Sequence, residues 1–239
     1  MTQVKIDDVA AFEKKVVVDF WSTDLHGDKI GVFDHKRRQA QSRAFTTDLN
    51  LCGTTKDGDE EGVFGYRKDA WEPPIDPESL DYYTKRRLVI RWFRKGKGAK
   101  ISLLGTIEEM VMDSLRKTMI SDDPLHSFKI ILQDHPYVIS LTKEHARLPT
   151  RIGEMWGFSL MTDPKTEKWE IFLLDEKRIT IGTDFDLKRD KVKQKLVKID
   201  EKILNIGGKV DITFYNKALY DYKPFRKVVI LFAMIFGFR

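Results

Sequence analysis

A single cysteine, Cys52, stands in 239 residues. It excludes a disulfide within the chain, a CxxC redox pair and a cysteine-rich zinc site, and it fits a reducing compartment. The opening MTQVKIDDVAAFEKK lacks an apolar core of signal-peptide length and carries too many acids for an ordinary mitochondrial presequence. Synthesis and residence in the cytosol or nucleus are therefore expected. Long apolar runs are also missing: the longest, Val228 to Phe236, has nine residues, against the roughly 20 that a spanning helix needs. A large excess of one charge is absent too, since 42 Lys and Arg face 37 Asp and Glu for a net charge of +5. Any anion-binding surface must then come from clustering.

Catalytic and cofactor signatures are lacking as well. There is no GxSxG, no Walker loop and no Rossmann glycine fingerprint; Gly96, Gly98 and Gly105 are spaced wrongly for the phosphate loops. The five histidines, His26, His35, His126, His135 and His145, form no HxH or HxxxH pair. Asp184 and Asp186 would share one face of a strand, but no third acid accompanies them in a calcium-loop pattern. The reading is a non-enzymatic protein with no cofactor and no metal.

What is present is a basic run. From Lys85 to Lys100, in KRRLVIRWFRKGKGAK, eight of sixteen residues are Lys or Arg, with no acid between them. Leu88, Val89, Ile90, Trp92 and Phe93 predict a strand, and Gly96 and Gly98 a tight turn after it. Lys85, Arg86, Arg87, Arg91, Arg94, Lys95, Lys97 and Lys100 are the candidate site for an anionic surface, either lipid headgroups or phosphodiester backbones. With Trp92 and Phe93 the cluster also suits base stacking in an RNA-binding protein. The alternative is a solvated hairpin tip.

Around this run the chain divides by composition. VVVDFWS at 16–22 resembles the opening strand of a thioredoxin, but STDLHGD follows without cysteines, so only a buried strand is carried over. A strand is expected at 30–33 and a second basic cluster at Lys36, Arg37, Arg38 and Arg43. Residues 54–62, TTKDGDEEG, read as a solvated turn able to screen a basic face. WEPPIDPESL at 71–80 carries three prolines and predicts an extended connection. The expected domains are an N-terminal β-containing segment over 1–70, a Pro-rich linker over 71–81 and a β-rich main domain over 82–239.

Within the main domain, Thr106-Ile107-Glu108-Glu109 has the form of a capping box. It predicts an amphipathic helix with Ile107, Met110, Val111, Leu115 and Met119 on one face. Strands are expected at 127–132, 137–141, 158–161, 169–174, 179–181, 194–199 and 210–214, and the alternating charges of 184–202 read as a hairpin with a wet face. Val228–Phe236 should be a buried element of the core. The expected fold class is α+β, a β-rich domain with one amphipathic helix and an apolar C-terminal helix.

Two resemblances bear on function. The order of the basic unit Arg87–Leu132, the motif ARLPTRIG at 146–153 and the ending FRKVVILFAMIF at 225–236 resembles the matrix proteins of rhabdoviruses. Pro73-Pro74-Ile75-Asp76 lacks the tyrosine of that family's budding motif. This resemblance implies a virion structural protein that self-associates into oligomers under the cytoplasmic face of a membrane and binds acidic lipid and an RNA-containing nucleocapsid. The segment IDEKILNIGGKVDITFYN at 199–216 with the terminal apolar helix resembles the end of the tubby-like and scramblase-like barrel. That likeness implies a lipid-binding module whose closing helix fills the barrel.

Overall fold

Alternation of inward and outward side chains governs nearly the whole chain. In Lys14–Phe20, Val16, Val18 and Phe20 are buried while Val17 and Asp19 are less so, the period-two pattern of a half-buried strand. The computed structural model describes residues 12–21, 44–46, 48–96, 101–120, 125–144, 153–163, 166–177, 184–192, 194–202 and 208–238. Twelve strands appear in order: β1 (Lys14–Phe20), β2 (Leu49–Asp57), β3 (Glu60–Arg67), β4 (Val89–Lys95), β5 (Ile101–Glu109), β6 (Ser127–Leu132), β7 (Ile139–Glu144), β8 (Met155–Asp163), β9 (Lys168–Glu176), β10 (Asp184–Arg189), β11 (Lys195–Lys202) and β12 (Lys209–Phe214). Each pairs antiparallel with its neighbours in sequence, and β1 pairs with β12, so the sheet is a closed barrel. Closure removes every exposed edge.

Among the described residues helices are few and short: α1 (Lys68–Trp71), α2 (Leu80–Lys85), α3 (Val111–Ile120), α4 (Lys217–Asp221) and α5 (Lys223–Met234), followed by a 3-10 turn at Ile235–Phe238. The α+β expectation is thus corrected to a mostly-β closed barrel. One source of that error is β5. Thr106 to Glu109, read as a capping box, are strand residues, Ile107 points into the core and Glu109 accepts the Leu88 N–H at 3.2 Å. The Pro-rich stretch joins β3 to its neighbour β4, and strands from both of its sides close the same barrel. The strand expected at 179–181, the one at 30–33 and the cluster at Lys36, Arg37, Arg38 and Arg43 lie outside the described residues.

A barrel of eight strands is filled by its own side chains, and a wider one needs something else inside. Here α5 fills it. Pro224 sits in the first turn, where its missing N–H costs nothing, and Val228 to Phe236 are all at most 5% exposed. A helix apolar on every side is stable only when surrounded. Phe232 contacts Trp156, Phe185 and Phe236 at ring centroid distances of 5.7, 5.3 and 5.1 Å. Gly105 of β5 makes room for it: a Cβ there would stand 3.2 Å from Leu231 and 2.9 Å from Leu132. The helix enters at the end of the barrel where β12 finishes, called the top below, and the 3-10 turn emerges at the bottom. A smaller cluster, Trp21, Phe45, Leu49, Leu51, Val63, Phe93 and Ile101, is separate from this core.

Candidate functional site

The described residues of the basic run fall in α2, in β4 and in the link between them, and four of them pair with carboxylates. Lys85 closes α2, 3.7 Å from Asp81. Arg86 places its guanidinium over Trp71 at 4.2 Å and over Tyr82 at 5.9 Å. Arg87 pairs with Glu108 at 3.4 Å, Arg94 with Glu60 at 3.4 Å and Lys95 with Glu61 at 3.0 Å. Arg91 donates to the Ala44 carbonyl at 2.9 Å, and burial lowers its pKa. Lys97 and Lys100 lie outside the described residues. Glu60 and Glu61, read from the sequence as part of a turn over 54–62, open β3, and from there they screen the end of β4. Exposed pairs of this kind are individually weak, about 0–1 kcal/mol.

At the top rim, side chains anchor the incoming helix. Asp57 at the end of β2 accepts from the Tyr220 hydroxyl and lies 3.3 Å from Arg226, which stands over the Tyr220 ring at 4.8 Å. Burial and the Asp57 carboxylate push the Tyr220 phenol up to about 12. Lys227, 5% exposed, reaches Asp134 in the β6–β7 turn at 2.7 Å. The cavity beside this network measures only about 20 Å3, room for a water molecule but not a substrate.

The outer face of the barrel carries a different signal. Register sets Ile131 on β6 and Val138 before β7 close together, and puts Met161 of β8 opposite Trp169 of β9 and Ser159 opposite Ile171. Tyr137 stacks edgewise on Trp169 with centroids 5.7 Å apart. Ile131, Tyr137, Val138, Trp169 and Ile171 are 40–60% exposed. Lys168, Arg189 and Asp190 border Trp169 and Ile171, and the two cations share one buried carboxylate, Glu170, at 3.0 and 3.5 Å. A second exposed group lies lower on the same side. Helix α3 docks on β6 and β7 through Ser114 Oγ, which accepts the Ser127 N–H, and through Lys117, which donates to Ser127 and Thr142. Its other face turns Met112, Leu115 and Met119 outward, and Leu80 and Tyr83 of α2 are also exposed. Leu115 and Met119, expected on a buried face, are exposed because the helix packs through Ser114 and Lys117 instead.

This apolar strip was not among the sequence candidates. Its signal was present in KWEIFLL of β9, where Trp169 and Ile171 make the outer face as apolar as the inner one; a barrel strand with one wet face should not read so.

Asp184 and Asp186 do share a face of β10, but lysines hold them: Lys198 lies 3.8 Å from Asp184, and Lys177 and Lys195 lie 3.4 and 3.0 Å from Asp186. Among the described residues no group of three or more His, Cys, Asp or Glu is arranged to hold a metal. Register places Asp184, Asp200 and Asp211 side by side across β10, β11 and β12. Burial, with the hydrogen bond and charge of Asp200, raises the Asp184 pKa. Burial works to raise Asp200 as well, but bonds from Lys202, Lys198 and Asp184 outweigh it and bring that carboxyl to about 2.

The two carboxyls therefore act on stability in opposite directions. Asp200 stabilises the fold above the ordinary carboxylate range near ~4, and this contribution is lost as pH falls to about 2. Ionised Asp184 weakens the fold, and the loss is relieved as pH falls through its raised value. Asp184→Asn is expected to raise the thermal midpoint at pH 7, with the advantage shrinking as pH drops into the carboxylate range. A variant melting below the wild type at pH 7 would contradict this assignment.

No family model, curated protein or solved structure matches the chain significantly.

Proposed function

We propose that the protein is a non-catalytic module that binds anionic lipid surfaces with the β6–β9 side of its barrel. The observation that carries this reading is the exposed apolar strip on that side, from Trp169 and Tyr137 near the top rim to the Met112, Leu115 and Met119 face of α3. Trp and Tyr favour the boundary between headgroups and acyl chains. A helix with Met and Leu turned outward suits shallow insertion. Lys168 and Arg189 stand beside Trp169, with Glu170 and Asp190 next to them, and a basic residue near an anionic leaflet is worth about 1 kcal/mol.

The test is co-sedimentation with neutral and with phosphatidylserine-containing vesicles across a salt series, with RNA as competitor. Preferential binding to the anionic vesicles that persists in part at high salt is expected, because burial of apolar area is not screened. Binding to RNA alone, with affinity falling linearly in log salt, would replace lipid by nucleic acid as the partner. Absence of binding to either would overturn the reading. Assembly into polymers on the vesicle would favour the matrix-type alternative, and a bound monomer the tubby-like one.

A further inference from the structure

At the bottom of the barrel a cavity of about 310 Å3 opens beside the 3-10 turn, with apolar walls made by Trp71, Leu88, Phe128, Trp156, Ile235 and Phe238. Four of these six are aromatic. Phe128 of β6 and Trp156 of β8 have ring centroids 5.9 Å apart, and Trp71 of α1 meets Phe238 of the turn at 6.0 Å. Further rings hold both pairs in place: Trp156 packs on Phe232 at 5.7 Å, and Phe238 on Tyr66 at 5.4 Å. The aromatic wall is therefore formed before any ligand arrives.

The polar side chains that line the cavity, Glu109, His126 and Glu154, are engaged within the protein. Glu109 accepts the Leu88 N–H at 3.2 Å and lies 3.4 Å from His126 Nδ1. Glu154 accepts from Trp156 Nε1 at 3.1 Å and pairs with Lys143 at 2.9 Å. A cation brought into this space would lose its water and find both carboxylates already bonded, and an anion would stand beside them. A neutral ligand carries neither cost.

Volume sets the size of that ligand. An apolar cavity of ~150 Å3 takes a benzene ring, and this one is about twice as large, so two fused rings fit. Aromatic walls favour a flat molecule over a puckered one, because rings pack offset or edge to face against one another. We infer that the bottom cavity binds one neutral, flat, two-ring aromatic molecule. This site is separate from the lipid-facing strip and does not depend on it.

The experiment titrates the full chain with naphthylmethanol, its saturated decahydro analogue, naphthylmethylamine and naphthoate, following heat and the tryptophan emission to which Trp71 and Trp156 contribute. Naphthylmethanol should bind saturably at one site and the decahydro analogue several-fold weaker. The amine and naphthoate should bind about tenfold or more weaker, since burying an unpaired charge costs at least that factor. Trp71→Leu should weaken naphthylmethanol several-fold and leave the decahydro analogue unchanged, and Leu88→Trp should exclude both. Trp169→Ser combined with Tyr137→Ser should change neither, because those rings lie on the outer face. No saturable binding of naphthylmethanol, or equal or tighter binding of any of the other three ligands, would overturn the assignment. So would loss of binding in the Trp169, Tyr137 double variant, or affinity that survives in a folded Leu88→Trp protein. If Leu88→Trp does not fold, the four-ligand comparison on the wild type decides alone.

Discussion

Phe232→Asp is expected to abolish folding. Phe232 is fully buried in the last turn of α5, in contact with Trp156 from β8, Phe185 from β10 and Phe236 from the turn beyond the helix. Truncating such a ring costs about 3–5 kcal/mol, and an unpaired buried carboxyl adds several more or forces its own protonation. A domain stabilised by about 5–15 kcal/mol does not survive the sum. The loss should also be global. The helix is the common neighbour of strands that never touch one another, so the closed sheet has no alternative core. Loss of the near-ultraviolet dichroism and of a cooperative urea transition is the expected result; a variant with an ordinary melting transition would mean that the barrel stands without its helix.

The second large effect concerns binding and should leave the fold alone. Trp169 and Tyr137 are 46% and 45% exposed, so each offers roughly 100 Å2 of ring surface to a lipid boundary, about 2–3 kcal/mol at ~25 cal/mol per Å2. Replacing both by Ser should lower affinity for phosphatidylserine vesicles by about a hundredfold or more, while the thermal midpoint changes little. By contrast, Lys95→Glu should weaken vesicle binding only slightly, because Lys95 already stands 3.0 Å from Glu61.

That contrast shows where sequence reasoning reached and where it stopped. The inner faces of β1, β6, β8, β9 and β12 were legible because β-branched and aromatic residues alternate there, and nine unbroken apolar residues marked the buried part of α5. The strand β5 was misread since Thr106 to Glu109 fit a helix start equally well, and only pairing with β4 and β6 decides between the two. Closure between β1 and β12 joins residues nearly two hundred positions apart, and no local pattern encodes it. The pairing within the basic run was hidden for the same reason: the run is a local feature, and the carboxylates that pair with Arg94 and Lys95 arrive from β3, 34 positions away. The apolar strip could have been found in β9, but its continuation through Ile131, Val138 and α3 exists only once the strands are in register.

The most direct test of the lipid-facing side is quenching of tryptophan emission by vesicles whose phosphatidylserine carries bromine along its acyl chains. Trp21, Trp92 and Trp156 are buried, so the difference between the wild type and Trp169→Phe isolates one ring. Strong quenching of the wild type that is lost in Trp169→Phe is the predicted result. Vesicle-bound protein whose quenching is the same with and without Trp169 would contradict the account, because the membrane would then lie against another face of the barrel.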